Sequence, residues 1–220
     1  PLKTFFIDQE AEWQATIDYM RLAMNDSWVE PIWLQIPIKI FNATSPFNPW
    51  LHCWEEGKEW IRDKEPGSWK VNRYGTDRFA QLFGAFDAVE FHHSPVCRIA
   101  GVRTEESPAR YLGLTTYETY KGATWGSVTD KRCGHVVMYP IYDWSYTDVW
   151  KAIHDNRWPY CNLYDYMYQY GVAVQKMRVS NIHHETAVRT LQYLQEVEPD
   201  TWQKVTRRLS GLNTVSQMQG

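Results

Sequence analysis

Two arginines and two glutamates fall close together in the stretch Gly-Val-Arg-Thr-Glu-Glu-Ser-Pro-Ala-Arg-Tyr-Leu, residues 101–112. Arg103 directly follows an apolar run, 96–102, that reads as a buried strand, so its guanidinium would sit at the carboxyl edge of a sheet. Arg110 lies one or two turns further on. Two converging guanidiniums suit a phosphate or sulfate, because each can give two parallel charge-assisted hydrogen bonds. Glu105 and Glu106 could orient the arginines by ion pairs, and at a helix start they would also suit the macrodipole. The same four charges could instead form only a solvated, salt-bridged helix start, and spacing alone leaves both readings open.

Asp8 ends a second short apolar run, 2–7, and is followed by apolar residues every three or four positions: Trp13, Ile17, Met20 and Met24. That pattern is a strand running into a helix, with an acid at the strand's tip. Asp143 sits in Tyr-Pro-Ile-Tyr-Asp-Trp-Ser-Tyr-Thr-Asp-Val-Trp, residues 139–150, where with Trp144 it marks a strand-to-helix turn. Its carboxylate could bind a ribose or simply cap the turn. Lys131, Arg132 and Arg178 are further cations on later loop segments. No Ser-His-Asp arrangement is spaced for nucleophilic catalysis, so no catalytic residue is assigned. The four cysteines are dispersed and offer no metal-ligand spacing, which predicts reduced thiols, a cytoplasmic setting and no metal site.

These groups need elements to hold them. The patterns predict strands over 2–7, 31–38, 96–102 and 136–139. Helices are predicted over 10–25, from Thr76 or Asp77 through Phe86, from a cap at Ser145 with Asp148 three residues on, around 163–170, and twice between 184 and 209. The helix after Ser145 is expected to bury Val149, Trp150 and Ile153. Residues 41–75 break the pattern with Pro, Gly and Trp, and read as an aromatic-rich irregular excursion with one helical turn near 55–63. Residues 113–134 read as a second irregular stretch. Strands alternating with helices predict an α/β fold, a doubly wound and mostly parallel sheet. The expected division is an α/β domain over 1–160 and a helical C-terminal extension over 161–220 packed on it.

The 220 residues suffice for one such domain with a core. A net charge of −3 gives no global pull toward nucleic acid, and no apolar run is long enough for a membrane helix. Twelve tryptophans are a heavy load, explained by packing or, more sharply, by a stacking platform for bases.

Taken in order, residues 6–20, 100–112, 139–153 and 162–172 resemble the phosphoadenosine phosphosulfate (PAPS) reductase family, of the adenine-nucleotide α-hydrolase group with its ATP-pyrophosphatase relatives. The stretch after the last motif, 173–181, is most similar to the subgroup typified by immunoglobulin-binding regulator A. The resemblance implies a nucleotide site with Asp8 on the adenosine side, and with Arg103, Arg110 and the turn of Asp143 and Trp144 at the phosphate or sulfate end. Glu106 would orient the arginines, with Lys131, Arg132 and Arg178 in support. The ligand would be ATP, with magnesium, or PAPS, and no tightly bound cofactor is implied. Partners would be the nucleotide, a ParB-like protein and a second copy of the chain. The family's glycine-rich SGGKDS-type loop has no counterpart here, so the expectation is a fold lacking its first βα unit. The Glu-Cys-Gly-type catalytic cysteine is also missing, which sets the expected chemistry at the α-phosphate rather than at a thiol.

Overall fold

The computed structural model describes residues 1–45, 48–92, 94–116, 118–179, 181–184, 191–209 and 211–212. The chain divides into two compact units. The first joins Pro1–Leu82 to Tyr160–Gly220, and the second is Phe83–Pro159.

In the first unit, β1 (Leu2–Ile7) pairs in parallel with β2 (Val29–Leu34) from Leu2↔Val29 to Ile7↔Leu34. Helix α1 (Gln14–Met24) connects them. Its apolar stripe does what a 3.6-residue period requires: Ile17 and Met24 are buried against Trp33, with Phe6, Met20 and Val29 around them. The Phe6 and Trp33 rings meet edge to face at 5.3 Å. The N-cap of α1, Trp13, has no side-chain cap of its own. Glu198, far along the chain, accepts the N–H groups of Gln14 at 2.7 Å and Ala15 at 2.9 Å and does that job.

The apolar run expected as one strand over 31–38 is two. β2 ends at Leu34, and β3 (Ile38–Phe41) pairs antiparallel with β4 (Trp50–Cys53). Pro37 stands between them, so the run cannot continue one ladder. β4 lies inside the stretch read as irregular, and 55–63 forms turns and bends without a helix. Buried Trp13, Trp33 and Trp54 support the packing reading of the tryptophans in this unit. The C-terminal part supplies α5 (Leu163–Gln169), α6 (Leu191–Val197) and α7 (Pro199–Arg208), near the positions expected.

In the second unit a four-stranded sheet runs β5 (Cys97–Ile99), β8 (His135–Met138), β7 (Ala123–Asp130), β6 (Thr119–Tyr120). β5 and β8 are parallel and the other pairs antiparallel. Helices α2 (Phe79–Glu90, whose first turn precedes the unit boundary), α3 (Pro108–Thr116) and α4 (Tyr146–Asn156) accompany it. Arg98 of β5 donates to Phe83 O at 2.9 Å and to the buried Asp87 of α2, which also lies 3.5 Å from His135 of β8. The stretch read as irregular over 113–134 thus contains the longest strand of the sheet. β7 carries Gly, Ser and Thr, which give little strand signal, and its order comes from neighbours on both edges. At Gly126 an added Cβ would meet the flexible end of the Met138 side chain, which would have to shift.

The α/β class is therefore the one the pattern predicts. Its strands are shared among three sheets, and among the described strands parallel pairing is confined to β1–β2 and β5–β8. Ser145 caps α4 through a full capping box with Asp148, as its sequence signals. Val149, Trp150 and Ile153 are only half-buried, not core residues as expected.

Candidate functional site

The second unit carries an open cleft of about 530 Å³. Its walls come from the turn after β5 (Thr104, Glu105), the first turn of α3 (Ser107, Pro108, Tyr111) and the turn before α4 (Asp143, Trp144, Ser145). Two helices therefore begin at one cleft, and each brings backbone N–H groups that the helix itself cannot satisfy. Such ends favour anions.

Arg103, largely covered, does not itself line the cleft but is bonded to two residues that do. Its Nη1 donates to Glu105 Oε2 at 2.9 Å and to Trp144 O at 3.4 Å, and its Nε lies 3.5 Å from Glu106 Oε1. The other Glu106 oxygen is 3.8 Å from Arg110 Nε. Glu106 thus spans the two arginines. Thr104 ties this turn to the next one, with both its N–H, at 2.8 Å, and its hydroxyl, at 3.0 Å, directed to Tyr142 O. Arg110 is exposed on α3, and Asp143 is exposed on the cleft wall beside half-buried Trp144. The structure thus brings Arg103, Arg110, Glu106, Asp143 and Trp144 together in one unit.

The supporting cations are placed differently. Lys131 and Arg132 sit at the β7–β8 turn, exposed, and pair with Glu118 and Asp130. Arg178 is exposed in the first unit.

Asp8 belongs to the first unit and its side chain is wholly enclosed. Oδ1 accepts the Glu10 N–H at 3.0 Å and the Arg62 guanidinium, and Oδ2 accepts Trp33 Nε1 at 3.0 Å and Gln35 Nε2 at 2.9 Å. Protein donors thus occupy both oxygens. The carboxylate is turned into the fold, because the strand tip is roofed by Trp54, whose Nε1 donates to Asp8 O at 2.7 Å.

Asp8 opens a buried polar cluster that sequence patterns do not signal. Glu10, fully buried with φ 65°, accepts Arg208 Nε at 2.7 Å and the Trp54 N–H at 2.6 Å. Trp54 is itself left-handed at φ 55°. Two non-glycine residues in this sparsely populated region meet through one hydrogen bond, and the surrounding contacts hold the strain. Glu12 is buried beside Asp8, and burial first, then that neighbouring charge, pushes its carboxyl up to about 8. It is the protonated form that accepts Asn181 Nδ2 at 2.7 Å at neutral pH. Burial lowers His183 to about 4, so its imidazole is neutral. Burial and the surrounding carboxylates push the Cys53 thiol well up, and burial raises Cys161. Neither is a ready nucleophile. Among the described residues no group of three His, Cys, Asp or Glu side chains could hold a metal ion, and no helix is long and apolar enough to cross a membrane.

The residues that sequence reasoning missed are Ser107 and Tyr111 at the cleft, and Glu12, Arg62 and Arg208 in the buried cluster; Glu10 stands out beside Asp8 at the strand tip, with no role assigned. Ser107 had a local signal, since it precedes Pro108 at a helix start. The cluster's pairing had none, because its carboxylates, two positions apart, find their cationic partners Arg62 and Arg208 at separations of 54 and 198 positions.

Comparison with known proteins bears on this geometry. A family model, the phosphoadenosine phosphosulfate reductase domain, matches residues 1–170. The chain is 30% identical over 223 aligned positions to a protein named YbdN of Escherichia coli (strain K12), covering 95% of this chain and 54% of that protein. The chain thus spans about half the length of the curated relative it matches. No solved structure matches it.

Proposed function

The chain belongs to the phosphoadenosine phosphosulfate reductase domain family, and from that premise we propose that it binds an adenine nucleotide, ATP or PAPS, by its phosphate or sulfate end at the Arg103 cleft. The observation that carries this reading is that Arg103 is bonded to Glu105 and Trp144, wall residues of the one open cleft at which α3 and α4 begin. Arg103 and Arg110 would neutralise the anion, and Glu106 would hold the two guanidiniums in register. Asp143 would face the ribose or a magnesium ion that arrives with ATP. Asp8 enters as a positioning residue that fixes the tips of β1 and β2 and holds Arg62.

With ATP, the chemistry would be attack of a substrate oxygen on the α-phosphorus. A new P–O bond forms, the α–β anhydride bond breaks, and pyrophosphate leaves. Charge on the phosphoryl oxygens is the main thing to stabilise in such a step, and arginines with backbone amides supply that. With PAPS, the corresponding reading is sulfonucleotide chemistry; reduction to sulfite would take its two electrons from an external dithiol, which is oxidised to the disulfide as sulfite and adenosine bisphosphate leave.

The test is pyrophosphate release from ATP, and sulfite release from PAPS in the presence of an added dithiol, by full-length protein and its Arg103→Ala variant. Release that the variant loses supports the reading. Nucleotide binding identical in both proteins would overturn the assignment of Arg103.

A second reading keeps the fold without turnover, as a regulatory protein that binds a partner, for which a ParB-like protein is the candidate. What favours it is the exposed pair Phe41 and Trp50 on the β3–β4 hairpin, edge to face at 6.1 Å with Lys39 Nζ 4.6 Å above the Trp50 ring. Complex formation that needs no nucleotide and is lost in a Trp50→Ala variant would select this reading.

A further inference from the structure

In the first unit, a cavity of about 400 Å³ lies between the segment around residues 48–60 and α7. Four cationic side chains line it, Lys58, Lys204, Arg207 and Arg208, against two acidic ones, Glu55 and Glu59. This local excess of positive charge sits on a chain whose net charge is −3. The four cations come from two segments distant in sequence, so the cavity is more than the solvated face of one helix.

The acids are already engaged with part of this set. Glu59 Oε1 is 3.5 Å from Arg207 Nη1, and Glu55 Oε2 is 4.0 Å from Arg208 Nη1. Arg208 is fixed from behind by Glu10 at 2.7 Å and by His52 O at 2.5 Å, and only 12% of its side chain is exposed. The side chains of Lys58 and Lys204, both exposed, have no ion-pair partner among the described residues. Trp60 forms a rigid part of the wall: its Nε1 donates to Glu55 O at 2.8 Å and its ring packs on Trp54 at 5.7 Å. A concave surface with an excess of one charge sign focuses its field and concentrates counter-ions. Two unpaired ammonium groups beside a fixed guanidinium suit a multiply charged, oxygen-rich anion, since lysines bind phosphate as point charges while arginine fixes its orientation.

We propose that this cavity is a second anion site, separate from the Arg103 cleft, which takes a ligand of the pyrophosphate class. It stands on its own geometry and does not depend on what the Arg103 cleft binds. The experiment is calorimetric titration of full-length protein with inorganic pyrophosphate at low salt. Four proteins are compared: wild type, Arg103→Ala, Arg103→Ala with Lys58→Met and Lys204→Met, and Arg103→Ala with Lys3→Met and Lys176→Met, exposed lysines that do not line the cavity. The expected result is binding that survives in Arg103→Ala, weakens about tenfold or more with Lys58→Met and Lys204→Met, and changes little with the control pair. No pyrophosphate binding in Arg103→Ala would overturn the proposal. So would an equal loss in both lysine pairs, which would mean general charge attraction only. All substituted lysines are exposed, and a thermal melt confirms that each variant is folded.

Discussion

Glu105 Oε2 lies 2.9 Å from Arg103 Nη1, and the same oxygen accepts the Tyr146 N–H at 2.6 Å. One carboxylate oxygen therefore bridges the guanidinium and the first backbone amide of α4. It occupies the position that an incoming oxyanion would want, because both donors point at it. The cleft thus holds its own anion, and a ligand must compete with it.

Replacing Glu105 by Gln should free both donors from a charged acceptor while keeping the side chain's size. Anion affinity at the cleft is expected to rise several-fold, in line with the roughly doubled strength of charge-assisted hydrogen bonds. Titration of the full-length variant with ATP and PAPS checks this, and unchanged or weaker binding would mean that Glu105 does not compete with the ligand.

Arg103→Lys and Arg103→Ala should separate charge from geometry. Lysine keeps the charge but loses the planar fork that reaches Glu105 and Trp144 O together. Nucleotide affinity should fall in the order Arg, Lys, Ala, with an Ala loss of about tenfold or more. Binding curves for the three proteins at one ionic strength give the answer.

Glu12 makes the first unit sensitive to pH. Its folded-state carboxyl is raised from 4.5 to about 8, so the folded protein keeps a proton that the unfolded chain loses above pH 4.5. The folded state binds more protons in that window, so stability falls as pH rises from about 4.5 to 8. The total loss is on the order of 4 kcal/mol. Glu12→Gln removes the titration while retaining an acceptor for Asn181, and should flatten this slope and leave the variant more stable at pH 8. Urea denaturation at pH 5, 6.5 and 8 measures it; parallel slopes for both proteins would contradict the assignment.

Asp8→Ala strips the acceptor from Arg62, Trp33 and Gln35 at once and leaves a largely buried guanidinium without its carboxylate. The expected cost is about 3–5 kcal/mol, read as a drop in the denaturation midpoint. If Asp8 instead mattered only for ligand binding, stability would hold and nucleotide affinity alone would fall.

Ser145→Ala removes the hydroxyl that accepts the Asp148 N–H at 3.2 Å. The loss should be about 1 kcal/mol. Faster amide exchange in the first turn of α4, with little change elsewhere, is the specific signature.

Much of this was legible along the chain because the responsible interactions are local. The span of β1, the stripe of α1, the Ser145–Asp148 box and the Arg103–Glu106–Arg110 spacing each involve residues within a turn or two of each other. Backbone period and capping chemistry then leave few alternatives. The 123–130 strand was illegible for the converse reason, since its small polar residues become a strand only when β6 and β8 flank them.

By itself, then, the sequence determined the α/β class, the family, and the presence of arginines and helix starts suited to an anion. Only the tertiary structure decided that Asp8 faces protein donors, that Glu198 caps α1, and that Arg208 reaches Glu10. Those contacts join residues 184 and 198 positions apart in the last two cases. No local pattern encodes such a pairing, because its partners are chosen by how distant elements pack and by the need of each buried charge for a counter-charge.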